Sequence, residues 1–413
     1  MTEPSHAAAD FSRYAVQGRH PAQVFCPQSP QEAADIVRRS GGTFVPWGGG
    51  TRQSLGYAPE RYDAALVTTQ LSQITEYEPA DLTITAQAGV TIAQLQAVLV
   101  QHGQCLPLAV ARPERQTLGG VIAARANSLC RFSSGSVRDL LLGVSVINCR
   151  GEMVKGGGKV VKNVAGYDLP KLYCGSLGTL GLITEATFKV SPLPEASATV
   201  ALPLDADHNS EEVLDHLIGS DLTPSFLFLL SPAAAASVVP GAEDAQYVLI
   251  GFDGDGEAVD WQVTTLGAGL LEETHAAQVR AALRDFGLNA APLTAEFHVL
   301  SSQVGAFSRM LEWTARRSGF HAEVASDAAL GLMTAHFAPL AEPADWPLFY
   351  ADLKDKADRC GGSFIITQMP EELRVADIPV WSPLLPDFGL MARLKETLDP
   401  ARMWNPGRFV GKL

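Results

Sequence analysis

The sequence holds no Cys-x-x-Cys pair, no His-x-x-His and no His-Glu-x-x-His. Its six cysteines, at 26, 105, 130, 149, 174 and 360, are scattered. That scatter excludes a local iron–sulfur motif, which needs closely spaced thiolates, and fits reduced thiols better than a disulfide framework. The nine histidines lack ligand spacing, so no zinc-hydrolase signature is present. Positive charge is also short, with 31 Lys and Arg against 45 Asp and Glu and a formal net charge of −14. An acidic surface repels nucleic acid and anionic lipid, so neither is expected as a partner. The most apolar run, FLFLLSPAAAASVVPGA, is interrupted by Pro232 and Pro240 and is too short to span a bilayer. The opening MTEPSHAAADFSRYAV is polar and lacks a signal-peptide core. The expectation is a soluble, cytoplasmic chain.

What is present is glycine in clusters. A composition of 46% apolar and 18% charged residues describes a folded protein, and 413 residues suit two or three domains. The first half alternates strand and helix. AQVFCP reads as a strand. SPQEAADIVRRSGG reads as a helix with Ser29 as N-cap, Pro30 in the first position and Gly41 past the end. TFVPW is the next strand and runs into Gly48-Gly49-Gly50-Thr51. AALVTT and LTITAQAG are β-rich, and a helix runs from Thr91 to a stop at Gly103. A glycine loop at the carboxyl end of a strand in an α/β layout is where ligands bind, and freed backbone N–H groups there suit a phosphate.

Residues 116–190 are the most patterned. QTLGGVIAARANS carries a second Gly-Gly, a hairpin is expected at Arg150-Gly151, and Gly175, Gly178 and Gly181 recur every third residue before the strand Ile183–Val190. Pro192 and Pro194 then mark a domain boundary. From about 198 to 385 the character changes. Strands at FLFLLS and AQYVLIGFDG flank a helix near AAAASVV, and one long helix is expected through EAVDWQVTTLGAGLLEE. A second round follows, with EFHVLSSQ, a helix VGAFSRMLEWTARRSG, and strands near FHAEVAS and ALGLMTAHF. This twofold rhythm suggests an α+β, ferredoxin-like cap on an antiparallel sheet. The last stretch is an amphipathic helix followed by a Pro/Gly-punctuated extended segment.

Three glycine clusters in an α/β context suit a dinucleotide, whose pyrophosphate, ribityl chain and adenine all lie against backbone. The Gly-x-Gly-x-x-Gly nicotinamide fingerprint is absent, because GSLGTLG precedes a strand instead of opening a helix. The blocks PWGGGT, TLGGVIA, GSVRDLLLG, VKNVAGYDLPKLYCGSLGTLGLITEATFKV and LDPARMWNPGR, in that order, resemble the FAD-binding domain of the vanillyl-alcohol oxidase/p-cresol methylhydroxylase (PCMH) class. Within that class they are most similar to the E-type FAD-binding subunits of bacterial glycolate oxidase. The likeness covers residues 20–197 and the last thirty. It implies an α+β fold in four parts. An N-terminal extension occupies 1–20, and a PCMH-type FAD-binding domain of two α/β subdomains occupies 21–197. A cap domain follows over 198–385, and a segment over 386–413 rejoins the FAD domain.

The resemblance also implies roles. Gly48, Gly49, Gly50 and Thr51 would hold the pyrophosphate, with Pro46 and Ser54 also among the cofactor-binding residues. Thr117, Gly119 and Gly120 would pass beneath the ribityl chain and diphosphate. Ser136 and Asp139 would lie along the cofactor, the Ile183 backbone would read the adenine, and Gly178 and Gly181 would also bind the cofactor. Asn405 would approach the isoalloxazine. Class members that bind flavin covalently carry a histidine after the glycine loop. Here Thr51-Arg52 stands in that place, so non-covalent FAD is expected.

The activity implied is oxidation of glycolate or another 2-hydroxy acid to the 2-oxo acid. The implied partners are a second, D-type FAD subunit and an F-type iron–sulfur subunit, through which the chain could reach the inner face of the cytoplasmic membrane. Two alternatives stand beside it: a non-catalytic electron-relay or assembly subunit, and a stand-alone FAD-dependent 2-hydroxy acid dehydrogenase. Such an oxidation needs a base for the hydroxyl proton and a cation for the carboxylate. His208, His216, His275, His298, His321 and His336 are unpaired, and His336 is the leading candidate among them. Among the arginines at 112, 115, 138, 393 and 408, Arg408 and Arg138 stand out. Tyr167 and Asp168 could face the flavin, or Asp168 could simply cap the helix beginning at Leu169. Lys155, Lys159 and Lys162 are read as a solvated hairpin. No metal site is expected.

Overall fold

Alternating apolar runs and well-marked caps build three larger sheets, beside a two-residue antiparallel pair of Gln104–Cys105 with Ser191–Pro192. The computed structural model describes residues 11–159, 166–204, 209–267 and 269–413. Lys162, His208 and part of the KNVAGYDL motif lie outside these residues.

The first sheet is parallel, with Ala64–Val67 between Gln23–Phe25 and Phe44–Trp47. The crossover from the first strand is the helix Pro30–Ser40. Ser29 accepts from the Glu32 N–H, Pro30 opens the helix, and Gly41 closes it in the left-handed region. Ala33, Ala34 and Val37 are its buried face.

The second sheet is antiparallel, in the order Ile74–Glu78, Thr83–Gln87, Leu182–Lys189, Leu141–Ile147, Met153–Gly157. The hairpin expected at Arg150-Gly151 joins its last two strands. The helix Ile92–Val100, held by a Thr91/Gln94 capping box, and the short helix Leu118–Ala124 share its core with Ile84, Val144, Ile183 and Phe188.

The third sheet has eight antiparallel strands. Its order is Ala196–Leu204, Gln246–Gly254, Phe226–Leu230, Phe320–Asp327, Leu332–Pro339, Leu293–His298, Ser363–Gln368, Trp381–Ser382. Two strand–helix–strand rounds meet where Phe228 pairs with Asp327. The expected long helix over 257–273 ends at Leu266, because Gly267 takes a left-handed C-cap that no helix continues through, and a further helix that the sequence reading did not place, Glu273–Asp285, follows. The helix Trp346–Arg359 and the strand Ser363–Gln368 escaped the sequence reading. Both supply apolar residues (Trp346, Phe349, Phe364, Ile366) to a single core with Phe297 and Phe320.

After the helix Phe388–Leu398 the chain returns to the first sheet. Trp404 forms a parallel bridge to Phe44, the Asn405 N–H donates to the Phe44 carbonyl at 2.8 Å, and the Phe44 and Trp404 rings lie 5.5 Å apart. Beneath this joint Lys395, almost fully buried, donates to the Thr179 and Trp404 carbonyls at 2.7 and 2.9 Å and to Asp399 at 2.6 Å.

Candidate functional site

The glycine loop leaves the strand Phe44–Trp47 and lies directly against the segment 115–120. A Cβ on Gly49 would run into the Arg115 carbonyl, and one on Gly48 into the Thr117 hydroxyl. Gly49 therefore admits a neighbouring backbone and Gly48 a neighbouring side chain, and the loop pair forms one wall of a cleft. The 177–183 segment forms the second wall, with Gly178 at φ +67° and its Cα side against Pro46. The returning C-terminal segment contributes Asn405 and Arg408.

The cleft encloses about 760 Å³ counted to its open mouth. Of the cofactor residues expected from sequence, Pro46, Gly48, Gly49, Gly50, Thr51, Thr117, Gly119, Gly120, Gly178, Gly181, Ile183 and Asn405 all line it. Three do not. Ser54 is exposed, and its carbonyl accepts from Gln17 at 3.0 Å. Ser136 and Asp139 are absorbed in a capping box. Asp139 accepts from the Ser136 N–H at 2.8 Å and from its hydroxyl at 2.6 Å, which holds the Asp139 carboxyl below the usual range. Sequence reasoning passed over Trp47, Gln53, Thr68 and Gln116, which also line the cleft. They flank the recognised motifs but carry no compositional signal of their own.

Two features of the lining suit FAD. No Asp or Glu lines the cleft, whereas Arg52 and Arg408 do, although the chain as a whole is acidic. A diphosphate would therefore meet positive potential. Asn405, at φ +46°, donates its amide N–H to the Leu177 carbonyl, while its Oδ1 is buried with no partner among the described residues. A buried acceptor without a donor is costly unless a ligand completes it.

The candidate catalytic residues fare differently. Tyr167 is 91% exposed and is not part of the cleft lining. His336 is buried, with Nε2 2.8 Å from the Phe286 carbonyl and Nδ1 2.9 Å from the Thr294 hydroxyl. A carbonyl only accepts, so Nε2 carries the proton and Nδ1 accepts from Thr294. Burial lowers the pKa of this ring and keeps it neutral, as a core histidine. Arg408 does line the cleft, but its donors are spent on the chain. They reach the Tyr57, Gln53 and Leu55 carbonyls at 3.2, 2.8 and 2.8 Å and the Gln53 side chain at 2.6 Å. Burial pushes its pKa down to about 10, so it stays a cation that pins the loop 53–57. Asp168 makes no capping bond and pairs with Lys171, and Lys159 pairs with Glu76.

Comparison with known proteins agrees with this geometry. Residues 21–157 match the FAD binding domain family, and FAD is the cofactor of this domain. Over 214 residues the chain is 32% identical to glycolate oxidase subunit GlcD of Bacillus subtilis (strain 168), covering 51% of this chain and 45% of that protein. Over 143 residues it is 39% identical to glycolate oxidase subunit GlcE of Escherichia coli (strain K12), covering 34% of this chain and 41% of that one. D-2-hydroxyglutarate and D-lactate dehydrogenases are also related to it. The matches thus span less than half the length of these curated relatives. A solved alkyldihydroxyacetonephosphate synthase superposes with a TM-score of 0.71 over 93% of this chain and 75% of its own, at 18% identity. That is a likeness of fold, and it shows the mixed α+β architecture.

Proposed function

We propose that this chain is the E-type FAD-binding subunit of a glycolate oxidase complex. It would take part in oxidising glycolate or a related 2-hydroxy acid to the 2-oxo acid, and pass electrons to an iron–sulfur partner. The observation that carries this reading is the acid-free cleft with the unpartnered Asn405 Oδ1, in a chain similar to GlcD and GlcE. FAD, when bound, supplies a two-electron acceptor.

The chain's own residues do the rest. The glycine loops bring backbone close to the cofactor, Asn405 accepts a hydrogen bond from it, and Arg52 and Arg408 face its negative charge. Thr51-Arg52 offers no histidine for a covalent link, so the flavin is dissociable. Residues 21–197 and 386–413 act as one FAD unit and 198–385 as its cap, a division supported by the separate eight-stranded sheet and by the Phe44–Trp404 bridge. With scattered cysteines the chain has no evident electron exit of its own, which favours an iron–sulfur partner beside a second FAD subunit.

A relay role is the second reading, favoured by the structural employment of His336. The test is a visible spectrum of the purified chain, then anaerobic addition of glycolate or D-lactate. Flavin bands that bleach make it a catalytic subunit. Bands that persist until the partner subunits are added make it a relay. A colourless chain that takes up no FAD would sink the proposal. FAD released into the supernatant on acid precipitation would establish non-covalent binding.

A further inference from the structure

A second cleft adjoins the first. It encloses about 630 Å³ to its mouth and lies between the 127–131 segment and the eight-stranded sheet. Arg52, the residue after the glycine loop, lines both clefts, so the two share a wall.

Two carboxylates and three guanidinium groups line the second cleft, and their partners sort them. Glu296 is committed, at 3.4 Å from Arg52 and 3.4 Å from the Asn127 amide. Arg284 is committed to Asp285 at 2.8 Å. Arg131 gives one hydrogen bond, to the Asn127 side-chain oxygen at 2.9 Å, and has no ion pair among the described residues. Asp327, 4% exposed at the end of its strand, accepts the Leu330 backbone N–H at 3.2 Å and likewise has no ion-pair partner among them. One uncommitted cation and one uncommitted carboxylate therefore face a common space beside the cofactor cleft.

We propose that this second cleft binds a small 2-hydroxy acid, with Arg131 holding the substrate carboxylate and Asp327 accepting the proton of the 2-hydroxyl. The inference rests on the flavin reading above. The hydroxyl O–H bond breaks as an O–H bond forms on Asp327. The C2–H bond breaks with its electron pair passing to the oxidised flavin as acceptor, and C2=O forms. The substrate loses two electrons and the flavin gains them.

The charge setting agrees. Burial raises the pKa of Asp327 to about 7, opposed by backbone N–H groups of the 329–330 turn and by the charge of Arg131. The other charged groups lining its cleft are Arg52 from the glycine loop, Glu296 from Leu293–His298 and Arg284 from Glu273–Asp285. A carboxyl titrating there is a stronger base than an ordinary aspartate and is unprotonated above neutrality.

The test uses the full FAD-loaded chain titrated with oxalate, an unreactive carboxylate, by calorimetry and by the shift of the flavin bands. Wild type should saturate. Arg131→Met should weaken oxalate about tenfold or more with flavin content unchanged, and Arg131→Lys should recover part of the loss. Asp327→Asn should keep oxalate affinity, slow anaerobic bleaching by glycolate or D-lactate roughly hundredfold, and abolish the rise of that rate between about pH 6 and 8.

Absence of oxalate binding, or binding unaltered in Arg131→Met, overturns the site. Arg131-dependent binding without bleaching by any hydroxy acid overturns the proton-acceptor role. Failure of the flavin reading looks different, because the chain would then take up no FAD. Calorimetry still reads the second cleft in that case, and Arg131-dependent oxalate heat supports the carboxylate site while its absence overturns it.

Discussion

Asp327 costs stability. Its folded pKa of about 7 lies above the unfolded value near 3.8, so the folded state binds the extra proton. Stability should fall as pH rises from about 4 to 7 and then level off. The cost at the plateau is about 4 kcal/mol in magnitude. Asp327→Asn should therefore raise the thermal midpoint at pH 8 and leave it nearly unchanged at pH 4, which calorimetric scans would check. Asn405→Ala removes the unpartnered Oδ1 and the bond to Leu177, and should weaken FAD by about tenfold, read by flavin fluorescence titration. Gly49→Ala drives a Cβ into the Arg115 carbonyl and should cost about 2–3 kcal/mol, seen as a lowered urea midpoint of the apo chain. At this scale the glycines were legible, because clustered glycine is rare and its chemistry is local. Arg131 and Asp327 were not. Each is an ordinary charged residue whose meaning comes from neighbours far along the chain that only the fold assembles. Ser136 and Asp139 carry an ambiguous signal, since a capping box uses the same residues a cofactor contact would.

Among the elements, the helix Phe388–Leu398 does most to hold the site together. Its Lys395 ties Asp399, Thr179 and Trp404 into one buried knot next to Gly178 and Asn405. Burial lowers the Lys395 pKa while the Asp399 carboxylate opposes that shift. Lys395→Met strands the Asp399 carboxylate and should destabilise the protein by about 3–5 kcal/mol, measured by urea unfolding, with FAD retention falling in parallel. Elements with strong end signals were readable, as Ser29, Pro30 and Gly41 bracket their helix where the sequence said. The single helix expected over 257–273 failed because Gly267 sits among residues whose helical pattern runs on past it. Trp346–Arg359 was missed because its apolar positions look like any amphipathic stretch until the neighbouring sheet is in place.

For the whole molecule, the change of pattern near Pro192 and Pro194 was visible, but the α/β layout read for the first half holds only for its three-stranded parallel sheet, because the five-stranded sheet that follows is antiparallel. The eight-strand order was not visible, since pairing between distant strands leaves no local trace. Saturating FAD should stabilise the folded chain through mass action, by about 2.7 kcal/mol at a hundred times its dissociation constant. A thermal midpoint that does not move with added FAD would count against the cleft as its site.

The bridge between Phe44 and Trp404 also sets a schedule. The wall carrying Asn405 and Arg408 does not exist until those residues have left the ribosome, long after the glycine loop has emerged. Tight flavin capture thus waits for Trp404–Arg408 to reach Phe44: a nascent polypeptide stalled before Trp404 would stay colourless.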